Sequence, residues 1–468
     1  MKFKALKYII PIAVFVLTLN SCGVVNKKYV APDMEYVESY RDTLVQDTMS
    51  IADLPLKEII SDTILQNLIE EGLQNNLDLK VAIENINQAK ASLVEAKLQF
   101  LPSLEGSANV TRSKTSEASL NLGSVSGINL NTTSYVGQLS SSWELDVWGK
   151  LRSNKRSVLA SFLETEAATK AIQTQLISDI AVSYYNLLAY DAQLKITKAT
   201  LENRVEDQEI MKLLKESAIV DGAAVVQSEA SRYEIEASIP DIEISILNQE
   251  NALSILLGRV PGRIERDSLN NQIPLSDLKI GVPASLIRNR PDIQESEMAF
   301  RSAFEDVNMA KTYFYPSFSI TASGGLSSLS LSDFFDNSVF YSLVGGLTQP
   351  IFKNGENKAR LKINQSLQQQ AFYDYKASWL TAGQEVSDAL FLYKKSQEKQ
   401  ISRTHQISSL EKSVEFTEAL LEYSSDTNYT DVLTTKNSLL SAQIDGVEDK
   451  LQELQSIIQL YRALGGGW

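Results

Sequence analysis

One thiol and one imidazole limit what this chain can do chemically. Cys22 is the only cysteine and His405 the only histidine among 468 residues. A lone cysteine forms neither an internal disulfide nor a Cys-based metal site. Nucleophilic catalysis needs a base beside the nucleophile. The single histidine sits in a long polar helical stretch, where it reads as a solvated surface residue. Met298 and Met309 are soft donors in a helical stretch, and methionines there read as packing. Gly465-Gly466-Gly467 lacks the following Lys and the helix start of a phosphate loop. The sequence therefore supplies no catalytic residue, no metal site and no cofactor site, and it is read as no enzyme. A net charge of −14 speaks against nucleic acid as a partner, since phosphate binding needs a basic surface.

What Cys22 can do follows from its place. Lys2, Lys4 and Lys7 form a basic start, and Tyr8 to Leu19 is an apolar run too short to span a bilayer comfortably. Leu19-Asn20-Ser21-Cys22 is similar to the cleavage box of bacterial lipoproteins, in which the cysteine sulfur carries a diacylglyceryl group. Residues 1–21 are thus expected to be a lipoprotein signal peptide. Its removal takes three positive charges and leaves a net charge of −17. Gly23 stands where an Asp commonly retains lipoproteins at the inner membrane. No later stretch has ~18 consecutive apolar residues, so no transmembrane helix is expected in the mature chain.

The elements behind these residues come as a duplication. Asp78 to Leu104 ends AKLQFLPSL, and Asp292 to Phe318 ends AKTYFYPSF. In both, Asp and Pro stand 24 residues apart, and a helix hands over to a strand at the proline. Period-2 alternation predicts strands at 103–112 and 134–148 in the first half, and at 317–325 and 340–352 in the second. Leu104, Leu139, Trp143 and Ile320 fall on one side of that alternation; Glu105, Glu144 and Asp146 fall on the other.

Helical periodicity follows each strand pair. Ile172, Leu176, Ile180, Tyr184 and Leu188 recur at four-residue steps. The two long helical patterns cover 68 residues each, to about Ser217 and Ser424, or roughly 100 Å at 1.5 Å per residue. Polar turns follow, at Ser217–Ala223 and Tyr423–Asp431, and then returning helices. Pro240 and Gly446 stand at about the same height in those returns, which predicts that each is two stacked shorter helices. The resulting organisation is a lead-in over 22–60, a first repeat over 61–258, a linker over 259–284 and a second repeat over 285–468. Helices this long need lateral partners along their whole length. Four strands per chain cannot close a barrel, and an open edge in lipid leaves backbone groups unpaired. Several chains must then share one barrel; a soluble four-stranded sheet with one wet face is the other reading of the alternation.

Several motifs carry a family resemblance over essentially the whole mature chain. They are Trp143-Glu-Leu-Asp-Val-Trp-Gly149, Ala252-Leu-Ser-Ile-Leu-Leu-Gly-Arg259 and Val282-Pro-Ala-Ser-Leu-Ile-Arg-Asn-Arg-Pro-Asp-Ile293. Thr348-Gln-Pro-Ile-Phe352 and the terminal Ala463-Leu-Gly-Gly-Gly-Trp468 complete the set. The chain resembles the TolC-like outer-membrane factors, in their lipoprotein (NodT/OprM-type) branch. The resemblance implies a mainly α fold with a small β part. It implies a homotrimer with a 12-stranded outer-membrane β-barrel, continued by a long periplasmic α-helical barrel. The implied function is the outer-membrane channel of a tripartite efflux system, docked to a periplasmic adaptor and an inner-membrane pump. Three copies would turn Glu105, Glu144 and Asp146 into acidic rings facing the lumen. The resemblance also places the periplasmic gate at the helix turns, with Asp426 and Asp431 as candidates and Asp221 as the first-repeat counterpart. Members of the family usually carry Gly three residues after the Tyr of that turn; here Tyr423 is followed at that distance by Asp426. The alternative is a structural or adhesin-like surface lipoprotein; a periplasmic adaptor fits poorly, because no lipoyl-like region is evident.

The leader makes one prediction. Cys22→Ser should abolish incorporation of radiolabelled palmitate into the cell-associated protein, and labelling at the parental level would refute acylation at this position.

Overall fold

The computed structural model describes residues 27–32, 54–116, 118, 130–274, 290–423 and 429–467. Helices α1 (Leu56–Ile59), α2 (Thr63–Asn75) and α3 (Leu77–Leu98) lead into strands β1 (Ser103–Lys114) and β2 (Asn131–Leu145). The long helix α4 (Lys150–Glu216) and its return α5 (Gly222–Leu256) complete the first half. The second half runs α6 (Pro291–Thr312), β3 (Ser317–Ser328), β4 (Val339–Thr348), the long helix α7 (Glu356–Tyr423) and its return α8 (Tyr429–Ala463). The halves match closely: the long helices have 67 and 68 residues, and both returns have 35.

The chain divides into two compact units. One takes 1–32, 86–164 and 296–374; the other takes 33–85, 165–295 and 375–468. Each draws on both halves of the sequence.

The first unit contains one antiparallel sheet in the order β1-β2-β3-β4. Paired residues of antiparallel strands share a face, so the register sorts the side chains. Leu104 pairs with Ser141, Gly106 with Leu139 and Val110 with Tyr135. Trp143 pairs with Ile320, and Ala322 with Leu343. This face is apolar. The opposite face pairs Glu105 with Ser140, Glu144 with Ser319 and Ser323 with Ser342. Much of the apolar face is exposed among the described residues: Leu104 is 73% exposed and Tyr341 88%. Close to the sheet, residues 27–32 lie along α6. The Lys27 N–H donates to Asn308 Oδ1 at 3.3 Å, and the Tyr29 ring meets Phe300 and Phe304 edge-on.

The second unit has the larger buried core. Leu65, Ile69, Ile180, Leu187, Leu188, Leu253 and Leu257 are almost fully buried. The apolar stripe of α4 buries Leu176, Ile180, Tyr184 and Leu188, while Ile172 at its start is partly exposed. Asp62 organises one side of this core. Its Oδ1 caps α2 at the Ile64 and Leu65 N–H groups, and its Oδ2 accepts from Tyr184 Oη at 2.6 Å and Gln272 Nε2 at 2.9 Å. Burial, and the Asp62 and Asp267 charges, raise the Tyr184 hydroxyl well above the ordinary phenol range, so it stays a donor.

Several expectations change in the structure. Both returns are single helices. Pro240 is on an exposed face of α5, where water can serve the carbonyl left without its N–H partner. Gly446 lies against α7, where a Cβ would stand 3.3 Å from Ile407 Cδ1. Within α2, Ile180 occupies the space that a side chain at Gly72 would fill. The β2 strand stops at Leu145 rather than 148, and β4 at Thr348 rather than 352, where Pro350 can donate no ladder hydrogen bond. The β1 and β3 ladders run further than their alternation, through polar pairs such as Ser113 with Thr132. The stretch 259–274 is packed rather than free: Ile264 and Leu269 are buried. Its Arg266 is paired to Asp191 and Glu250.

Candidate functional site

The strand-to-helix junction explains the Trp143–Gly149 motif residue by residue. Trp143 Nε1 donates to the Phe100 carbonyl at 2.9 Å and fixes the entry into β1. Glu144, at the foot of β2, accepts from Lys150 Nζ at 3.0 Å. Asp146 lies just past the strand. Its Oδ1 accepts from the Leu151 N–H at 2.8 Å, and its Oδ2 from Arg152 N and Nε at 3.1 and 2.9 Å. A carboxylate at the start of a helix is stabilised by the unpaired N–H groups and the helix dipole there. Trp148 Nε1 donates to the Pro316 carbonyl at 2.7 Å, which ties this junction to its counterpart in the second repeat. Gly149 has φ +79°, a conformation that suits glycine.

The structure thus separates the three carboxylates that alternation put together. Glu105 is exposed on the polar face of the sheet. Glu144 shares that face but carries a partner cation. Asp146 is engaged in capping α4, a role that period-2 counting could not reveal.

Two other motifs meet in space. Arg290 is buried and donates through Nη1 to the Ala463 carbonyl at 2.8 Å. It also binds Asp292 at 2.7 Å and Glu385 at 2.6 Å. Gly465 has φ +86° and packs on the Arg290 backbone. Gly466 lies against the Tyr461 ring, leaving no room for a side chain. The described parts of these two stretches, 290–293 and 463–467, are therefore joined through Arg290. This is a structural clamp, and the sequence held its signal only as the invitation of an Arg-Pro-Asp and a triple glycine.

At the other end of the long helices, α4 ends at Glu216 and α5 begins at Gly222. Asp221 is the N-cap of α5 and accepts from the Ala223 and Ala224 N–H groups at 3.0 Å each. Asp431 is exposed in the first turn of α8. Asp426 and Cys22 lie outside the described residues. Among the described residues no helix is long and apolar enough to cross a membrane, and no three His, Cys, Asp or Glu side chains group as a metal site.

The sheet with one largely exposed apolar face and the paired 67- and 68-residue helices have counterparts among known proteins. The family model of the outer membrane efflux proteins matches residues 68–259 and 282–466. The chain belongs to that family. It is 30% identical over 427 residues to the solvent efflux pump outer membrane protein SrpC of Pseudomonas putida, covering 90% of each chain. It is 27% identical over 461 residues to the cation efflux system protein CusC of Escherichia coli O157:H7, covering 97% of each. A solved CusC structure superposes with a TM-score of 0.84 at 25% identity, over 94% of this chain and 99% of that one. The open state of the Neisseria gonorrhoeae MtrE outer membrane channel gives a TM-score of 0.83 at 24% identity. The fold is accordingly that of the outer-membrane efflux channels, mostly helical with a small sheet. The chain is an outer-membrane component of an efflux system.

The Arg290 clamp yields a prediction. Arg290→Met leaves the Ala463 carbonyl without its donor and Glu385 with Arg462 alone. It should lower stability by about 2 kcal/mol, the scale of a lost charge-assisted hydrogen-bond set beside partly exposed carboxylates. Thermal unfolding followed by circular dichroism checks this; an unchanged midpoint would contradict the role of the clamp.

Proposed function

We propose that three copies of this chain close one barrel and one tunnel, forming the passive duct of a tripartite exporter. The observation that carries this reading is the four-stranded sheet with two free edges and a largely exposed apolar face. In lipid every backbone N–H and C=O needs a partner, and only closure supplies them at an edge. An inner-membrane pump and a periplasmic adaptor supply the energy and the seal, and the chain itself carries out no catalysis. Relatives named for solvents and for cations share this architecture, so selectivity belongs chiefly to the pump. Acylated Cys22 anchors the N-terminus in the outer membrane.

The apolar sheet face is assigned to lipid and the Glu105 face to the lumen. Three Glu105 carboxylates then form a free acidic ring, which favours cations. Glu144 contributes less because Lys150 neutralises it, and Asp146 less still because it caps α4. Asp426 and Asp431 are assigned to the periplasmic gate. Asp221, spent on its cap, has the weaker claim.

Single-channel recording in planar bilayers tests this. The parent should conduct with a cation preference that Glu105→Gln reduces more than Glu144→Gln does. Asp426→Ala combined with Asp431→Ala should raise conductance. Absence of channels would overturn the duct, an anion preference would reverse the assignment of faces, and parental conductance in the double variant would remove these aspartates from the gate.

A further inference from the structure

The second unit contains a cavity of about 1130 Å³ between α4, α7 and α8. Its walls mix polar and apolar side chains, the apolar ones including Ile196, Met211 and Leu214 from α4, Leu421 from α7, and Val432 and Leu440 from α8. Ligand pockets are typically about 300–1,000 Å³, apolar, with a few convergent polar groups. This cavity has such a group at its floor.

The floor is a chain of ion pairs. Arg204 is 1% exposed. Its Nη2 donates to Asn437 Oδ1 at 2.7 Å, and its Nη1 reaches Asp207 Oδ2 at 3.4 Å. Lys436 Nζ lies 2.6 Å from both Asp207 Oδ1 and Glu418 Oε1. Two cations thus face two carboxylates, and the floor is close to electroneutral. Lys195 and Glu206, both on the lining and both exposed, also offset each other.

Two donors remain without acceptors. Arg204 Nε–H and the Tyr429 hydroxyl are buried and have no hydrogen-bond partner among the described residues. Tyr429 is 3% exposed, and both residues line the cavity. Burial and the Asp207 charge push the Tyr429 hydroxyl up to about 12, so it stays protonated at neutral pH. An unpaired buried donor costs on the order of 1–3 kcal/mol. A full anion would gain no net counter-charge here and would lose its hydration. A neutral acceptor oxygen satisfies the donors without that loss.

We propose that this cavity is a binding site for an uncharged amphiphile, whose carbonyl, sulfonyl or ether oxygen accepts from Arg204 and Tyr429 while its apolar body lies against α4 and α8. The occupant touches all three helices, so it stabilises the arrangement in which they are packed together. The site adjoins the helix turn assigned to the gate, and its test reads binding, which depends neither on conduction nor on closure of the barrel.

Dansylamide is a suitable probe, being uncharged at neutral pH, apolar in its ring system and armed with two sulfonyl oxygens. Its fluorescence is titrated against the full-length protein in lipid nanodiscs, with empty nanodiscs as background. The parent should give a saturable increase above background. Tyr429→Phe should weaken it roughly 3- to 10-fold, the scale of one hydrogen bond. Ala199→Phe, which fills the cavity from its rim, should weaken it at least as much. The sulfonate analogue, dansylate, should bind less well than the amide. No saturable component in the parent would mean that water alone fills the cavity and would overturn the proposal. Equal affinities in the parent and both variants would place the probe elsewhere and overturn it too. Tighter binding of the sulfonate would overturn the neutral head group. Should Tyr429→Phe fail to fold, Ala199→Phe decides the question alone.

Discussion

A strand edge in hydrocarbon has no water to turn to. Each unpaired N–H or C=O there costs several kcal/mol, and this constraint governs the rest of the molecule. One chain supplies four strands in the order β1-β2-β3-β4, with β1 and β4 as free edges. Among the described residues much of the apolar face of that sheet is exposed. The same dependence recurs in the helices. Helices of 67 and 68 residues are far too long for their own propensity to hold them, and apolar side chains such as Phe391, Ile401 and Phe416 are left exposed along α7. Strands and helices both call for neighbours of the same kind, and a ring of copies satisfies both at once.

Switching from sheet to helix within a few residues requires specific chemistry. The junction uses Asp146 to cap α4, Gly149 for a left-handed turn, and two indole N–H groups to bind carbonyls of neighbouring segments. The buried arginines of the second unit serve a comparable end. Arg204, Arg266 and Arg290 each join chain segments distant in sequence through carboxylates or, for Arg204 across to α8, through Asn437. Buried ion pairs add little net stability, because desolvation offsets their attraction. Their geometry, however, admits few alternative registers between long helices whose apolar stripes would otherwise slide.

Much of this was legible in the sequence, and the part that was not has physical causes. The change of period from 2 to 3.6 located all four strands and both long helices, because one-sided burial leaves a periodic trace. The equal Asp-to-Pro spacings exposed the duplication. Strand ends were missed where the ladder continues through polar pairs, or where a residue such as Asp146 leaves the strand to serve a helix. Pro240 and Gly446 were misread as breaks, since their tolerance depends on an exposed face in one case and on the nearness of α7 in the other. The cavity floor was illegible, as Arg204, Asp207, Glu418 and Lys436 are brought together from separate helices by packing alone.

The central claim is that β1 of one copy pairs with β4 of the next until three copies close a ring. Disulfide trapping between edge strands tests it most directly. Ser107→Cys on the polar face of β1 is combined in turn with Phe340→Cys, Ser342→Cys or Val344→Cys on the same face of β4, and outer membranes are oxidised before denaturing electrophoresis. The pair in register should yield a covalent trimer and nothing larger. Monomer in every combination, or a series that ends at dimer, would contradict it.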